Sequence, residues 1–72
     1  MLEVDIISFE NDKITYCLSD KVPHLGYILG NTKYVLNGNE TTKEEICNHA
    51  LRVTRIDIEC DGEKIKKIVV ND

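Results

Sequence analysis

Apolar and charged residues alternate at the start of the chain, which is the period of a half-buried β-strand. The apolar series then moves to the other parity at Ile7, so we expect either a bulge or a segment covered on both faces. A turn at residues 11–12 would pair Phe9 with Ile14 and Ile7 with Tyr16, because Asn and Asp tolerate the positive φ of such turns. This pattern predicts an N-terminal β-hairpin.

The same alternation returns at residues 56–59 and predicts a second hairpin at the other end of the chain. A turn at Asp61-Gly62 would pair Ile58 with Ile65. In that register two carboxylates would face two lysines: Glu59 opposite Lys64 and Asp57 opposite Lys66. Residues 68–70 are all apolar, which indicates a strand buried on both sides or a second bulge.

One amphipathic helix is predicted between the hairpins, at about residues 42–54. Thr41 with Glu44, or Thr42 with Glu45, matches the capping box that begins helices. An apolar stripe at helical spacing follows, made of Ile46, Cys47, Ala50, Leu51 and Val53.

Residues 19–31 allow two interpretations. A short helix could begin at Ser19 or Asp20, with Pro23 in its first turn and Gly30 at its end. The alternative is an irregular loop that leads into a strand at 27–29, and of the two we favour the short helix. A short strand at 34–36 and a turn at 37–38 follow, whereas pairing of residues 39–40 back onto that strand is doubtful.

Together these elements predict one α+β domain spanning residues 1–72. We expect a small antiparallel sheet of four to five strands, including the two terminal hairpins, with one amphipathic helix packed on one face. Nothing in the pattern indicates closure of the sheet, so we also expect an exposed strand edge that could bind another chain or a second copy.

The amino-acid composition limits the kinds of molecule that this protein is expected to bind. The net charge of −4 argues against direct binding of nucleic acid or an anionic membrane, since both depend on clustered Lys and Arg. The three cysteines, Cys17, Cys47 and Cys60, are an odd number and lie within apolar rhythms, which favours buried, reduced thiols. No leader pattern or long apolar run is evident, so we expect a soluble protein of the cytoplasm.

Catalytic and metal-binding interpretations find little support in the sequence. Cys47 and His49 are elements of a ligand pair, but on a helix they point about 200° apart. No pattern places a cysteine, a histidine and an acid together, and the glycines form no phosphate-binding loop. Three tyrosines could stack on bases, but no basic stripe interleaves with them in the sequence. We therefore predict no catalytic residue, no metal and no cofactor.

The remaining hypothesis is a small acidic interaction protein that is not an enzyme. Its expected binding surface is the C-terminal hairpin, where carboxylates recur at alternate positions: Asp57, Glu59, Asp61 and Glu63. A sharper version is a phage-type inhibitor that occupies the basic channel of a nucleic-acid-handling enzyme of host defence. The alternatives are an accessory subunit of a larger assembly and a small thiol-dependent enzyme that uses Cys47 or Cys60.

Overall fold

The computed structural model describes residues 1–72 as a mostly β protein, with 61% of the residues in strands. Six strands and one helix follow one another along the chain. Their bounds are β1 Leu2–Glu10, β2 Lys13–Cys17, β3 Pro23–Leu36, β4 Asn39–Glu40, α1 Lys43–Val53, β5 Arg55–Asp61 and β6 Lys64–Val70.

The expected open antiparallel sheet is wrong, because five of the strands close into a barrel. Neighbouring strands follow the order β2, β1, β5, β6, β3, and β3 pairs again with β2. All pairings are antiparallel except that of β3 with β6, which is parallel. Closure pairs the strand edges that an open sheet of this size would expose, and only the two-residue β4 lies outside the ring.

The interior of the barrel is filled by aliphatic side chains, most of them isoleucines. Alternate residues of each strand point inward, as the pleat requires. The buried apolar set is Val4, Phe9, Ile14, Tyr16, Ile28, Ile46, Ala50, Ile56, Ile58, Ile65, Ile68 and Val70.

Helix α1 contacts β1, β3, β5 and β6, so it covers an end of the barrel rather than one face of a sheet. The predicted cap is confirmed at Thr42, whose hydroxyl accepts a hydrogen bond from the Glu45 N–H at 3.3 Å. Ile46 and Ala50 are fully buried against the barrel interior. Leu51 was expected on the buried stripe, but it is 48% exposed.

The N-terminal hairpin forms with the predicted turn. Phe9 pairs with Ile14, and Asn11 has a φ of 53°. A bulge lies between Ile6 and Ser8, so Ile6 rather than Ile7 pairs with Tyr16. The change of parity in the sequence had marked this bulge as one of two alternatives.

The favoured short helix within residues 19–31 is wrong, since β3 begins at Pro23 and continues for 14 residues. The strand can be this long because its first part pairs with β2 and its later part with β6, with an irregularity between Ile28 and Lys33. The side chain of Thr32 forms hydrogen bonds with backbone groups at this irregularity. Its buried hydroxyl donates to the Ile65 carbonyl at 2.6 Å and accepts from the Leu29 N–H at 2.8 Å.

The C-terminal hairpin forms, but its predicted register is wrong. The turn residues are Gly62 and Glu63, and a bulge follows at Lys66. The pairs observed across the hairpin are Ile58 with Ile68, Glu59 with Lys67, Cys60 with Ile65, and Asp61 with Lys64. Asp57 lies opposite Val69 instead of a lysine.

Candidate functional site: an acidic face of the barrel

The four carboxylates predicted as a binding surface lie on and just beyond β5. Asp57 and Glu59 alternate with the buried Ile56 and Ile58, so they point out of the barrel. Asp61 ends the strand on the same parity, and Glu63 lies in the exposed turn. None of the four carboxylates forms an ion pair within 4.0 Å.

Strand β1 adds two carboxylates that the sequence interpretation missed. Antiparallel pairing places Glu3 directly opposite Asp57, and Asp5 opposite Arg55. Together Glu3, Asp5, Asp57, Glu59 and Asp61 make up what we call the acidic face. The alternation in β1 already put Glu3 and Asp5 on one side of that strand, but only the β1–β5 pairing, some 50 residues apart in sequence, places them beside Asp57.

Arg55 is the one cation within the acidic face. Its Nε lies 3.1 Å from Asp5 Oδ1, and its Nη1 lies 3.7 Å from Glu3 Oε1. The hydrogen bond to Asp5, followed by the nearby charges of Asp5 and Glu3, raises the pKa of the guanidinium. Arg55 therefore neutralises part of the β1 side of the face, whereas Asp57 is left across from Glu3 without a cation.

A like-charge pair directly opposite on neighbouring strands is destabilising by a few tenths of a kcal/mol to about 1 kcal/mol. The pairs that were expected to balance the row, Glu59 with Lys64 and Asp57 with Lys66, do not form in the observed register. Glu59 instead lies opposite Lys67 and Asp61 opposite Lys64, so Asp57, which lies opposite Val69, is the carboxylate of β5 that has no lysine across from it.

An open cleft of about 380 Å³ lies between the β1–β2 turn and the first half of α1. Its lining includes Phe9, Asn11, Asn48 and the thiol-bearing Cys47. Lys43 forms an ion pair with Asp12 beside this cleft. No histidine contributes to the cleft, so it does not assemble a thiol–imidazole pair.

His49 is engaged elsewhere on the surface of α1. Its Nδ1 lies 2.5 Å from Asp72 Oδ2, and its Nε2 lies 3.7 Å from Glu45 Oε2. The hydrogen bond with His49, aided by Arg52, holds the pKa of Asp72 below its usual range. Cys47 and His49, considered as a ligand pair in the sequence, therefore have separate environments.

All three cysteines were expected to be buried, but the free thiols of Cys17, Cys47 and Cys60 are only partly buried. Burial raises the pKa of Cys60, and the nearby Tyr16 hydroxyl, which can donate to the sulfur, opposes that shift. The Tyr16 ring in turn stacks on His24 with a centroid separation of 5.6 Å. A raised pKa decreases the thiolate fraction, so this environment disfavours Cys60 as a nucleophile.

No group of three or more His, Cys, Asp or Glu side chains is arranged to hold a metal ion. The only helix, α1, is too short and too polar to cross a membrane. Comparison with known protein families, with curated proteins and with solved structures finds no match to this chain.

Proposed function

We propose that this chain is a small, non-enzymatic protein-binding domain whose acidic face binds a basic surface of another protein. The observation that supports this proposal is the Glu3–Asp57 pair, in which two carboxylates lie directly opposite each other without a cation bound to Asp57. Such a pair destabilises the free protein. A partner that supplies Lys or Arg side chains would remove this repulsion. The free energy that the repulsion costs the free protein would then favour binding.

The sharper proposal is an inhibitor, of the kind that phages encode, that occupies the basic channel of a nucleic-acid-handling enzyme of host defence. Outward carboxylates are spaced about 7 Å apart along a strand and about 5 Å apart between strands. A channel that binds a row of phosphates presents cations that such an array can contact. The three free thiols suit a reducing compartment, and we propose the cytoplasm.

The alternative is an accessory subunit that uses the same face to complete a larger assembly. The two proposals differ in what happens to the partner. An inhibitor excludes nucleic acid from the partner, whereas a structural subunit leaves nucleic-acid binding by the partner unchanged.

The test compares proteins captured from the native host by three tagged forms of the chain: wild type, Asp57→Lys/Glu59→Lys, and the control Glu10→Lys/Glu40→Lys. The control makes the same change of charge at exposed positions outside the acidic face. We expect a stoichiometric partner that wild type and control retain and the face variant loses. A partner that the face variant still binds would place the interface elsewhere on the barrel. Adding wild-type protein to the purified partner and measuring its affinity for nucleic acid then separates inhibitor from subunit.

A further inference from the structure

The charged residues of the barrel are sorted by strand. The three consecutive strands β2, β3 and β6 contain no aspartate or glutamate, whereas β1 and β5 each contain three. Five lysines lie on β2, β3 and β6, and we call them the lysine strip: Lys13, Lys33, Lys64, Lys66 and Lys67. None of the five forms an ion pair within 4.0 Å. The strip therefore offers unpaired ammonium groups on three neighbouring strands.

An exposed tyrosine lies within the lysine strip. Tyr27 on β3 pairs with Lys13 of β2 on one side and with Lys64 of β6 on the other. Each of these three residues precedes a buried isoleucine, so their side chains point out of the barrel. Tyr27 is 42% exposed. Because paired residues share a face of the sheet and lie about 5 Å apart, a lysine stands on each side of one aromatic ring.

A second pair of lysines extends the strip along β3 and β6. Lys33 lies beside Lys67 in the parallel register, so two like charges are side by side. Their repulsion would be relieved by an anion bound between them. Lys64 and Lys67 are three residues apart on β6, which separates the two rows of lysines by about 10 Å. A ligand that reaches both rows is therefore an extended chain that carries several negative charges.

We propose that the lysine strip binds single-stranded nucleic acid, with a base stacked on Tyr27 and phosphates beside the lysines. An aromatic ring for the bases and cations for the backbone are the two components of such sites, and neither requires a particular base sequence. The sequence shows no basic stripe beside the tyrosines, and the fold supplies one by pairing β3 with both β2 and β6. The inference does not rest on the proposed function, because it uses different residues.

Carboxylates of β1 and β5 border the lysine strip on both sides and limit what it can bind. The pairs across these borders are Lys13 with Glu10, Lys64 with Asp61, and Lys67 with Glu59. The strip is thus only three strands wide, or about 10 Å. The second backbone of a duplex would lie over these carboxylates, and a duplex also keeps its bases stacked inside, away from Tyr27. The borders therefore favour a single strand over a duplex.

The carboxylates also set the strength of binding. The net charge is −4, and Glu63 adds a further exposed carboxylate in the turn before Lys64. Both lower the attraction for a polyanion. We therefore expect a dissociation constant on the order of 10⁻⁵ to 10⁻⁴ M at about 50 mM salt, within the range of nonspecific complexes. If two to four lysines contact phosphates, the logarithm of the binding constant should fall against the logarithm of the salt concentration with a slope of about −1.4 to −2.8.

The test measures the fluorescence anisotropy of a labelled oligothymidylate of about ten nucleotides as the full chain is added. Tyr27→Ala should weaken binding by about 5-fold or more, because the stacking of one base is lost, whereas Tyr27→Phe keeps the ring and should bind like wild type. Lys64→Gln should weaken binding and make the salt slope shallower by about 0.7. Lys21→Gln is its matched control, since Lys21 is exposed in the loop before β3, outside the strip, and it should leave the slope unchanged.

All three substituted positions are exposed, and circular dichroism establishes that each variant is folded before it is used. The proposal is overturned if wild type does not bind the oligothymidylate at up to on the order of 1 mM protein. It is also overturned if Tyr27→Ala binds like wild type, if Tyr27→Phe loses as much as Tyr27→Ala, or if Lys64→Gln and Lys21→Gln lose equally. Equally tight binding of a duplex of the same length, or of a labelled oligoglutamate peptide, would overturn it too, since the attraction would then be one of charge alone.

Discussion

Replacing Gly26 with alanine should destabilise the barrel, because the position has no room for a side chain. Gly26 is buried on the inward side of β3 and pairs with Ile14. A Cβ atom added there would lie 2.6 Å from Cδ1 and 2.9 Å from Cγ1 of Ile65, and 3.4 Å from Tyr16 Cε1. Ile65 is fully buried, so it cannot swing into solvent to make space.

Overpacking of this kind costs about 1–3 kcal/mol. A chain of this length has a total stability of roughly 4–11 kcal/mol, so Gly26→Ala should remove a sizeable share. Ile65→Val deletes the nearest atom, Cδ1, and alone should cost about 0.5–1.5 kcal/mol through the lost contacts. In the double variant the deleted methyl group makes room for the new one. The double variant should therefore lose about 1 kcal/mol less stability than the sum of the losses of the two single variants.

Urea unfolding followed by circular dichroism measures the free energy of unfolding of the four proteins in this cycle. Gly30→Ala is the matched control, because a Cβ there meets no atom within 4 Å, and its effect should stay within about 0.5 kcal/mol. The reasoning fails if Gly26→Ala is as stable as wild type, or if the losses of the two single variants simply add in the double variant. Either result would show that a clash between residue 26 and Ile65 does not destabilise the protein.

Three further predictions concern single side chains. Thr42→Ala should destabilise the protein by about 1 kcal/mol in urea unfolding, because the Glu45 N–H loses its cap; no loss would mean that the helix begins elsewhere. Thr32→Val should cost about 1–3 kcal/mol in the same assay, because two backbone groups lose their buried partner, and a neutral effect would show that they find another. Asp72→Asn should lower the melting temperature at neutral pH. Since the pKa of Asp72 is lowered in the fold, mainly by His49, its contribution is complete above about pH 4 and is lost as the pH falls through the lowered value. Thermal melts across pH should therefore converge at acidic pH, whereas a constant difference would contradict the His49 contact.

Local features could be predicted because a few adjacent residues determine them. The turn after β1 follows from Asn and Asp, and Asn11 does adopt a positive φ. Asn37-Gly38 forms the turn that leads into β4, with φ values of 51° and 85°. The helix begins at Thr42 because its hydroxyl is three residues before an N–H that needs an acceptor.

The path of β3 could not be predicted in this way. Its apolar residues within 25–29 fit one face of a short helix as well as a strand, so periodicity left both open. The strand prevails because β2 hydrogen-bonds its first part and β6 its later part, and these pairings close the barrel. The β6 residues that pair with β3 lie more than 30 residues further along the chain, beyond the reach of any local pattern.

The sequence by itself determined where strands alternate, where the chain turns, where the helix begins, and that carboxylates recur along β5. Tertiary structure alone decided that the sheet closes, that Glu3 lies against Asp57, and that Glu59 lies opposite Lys67. The reason is physical: turns and caps depend on the conformation of adjacent residues, whereas strand pairing depends on how all the inward side chains fill one shared interior. A single bulge, such as the one at Lys66, is enough to change which charges face each other.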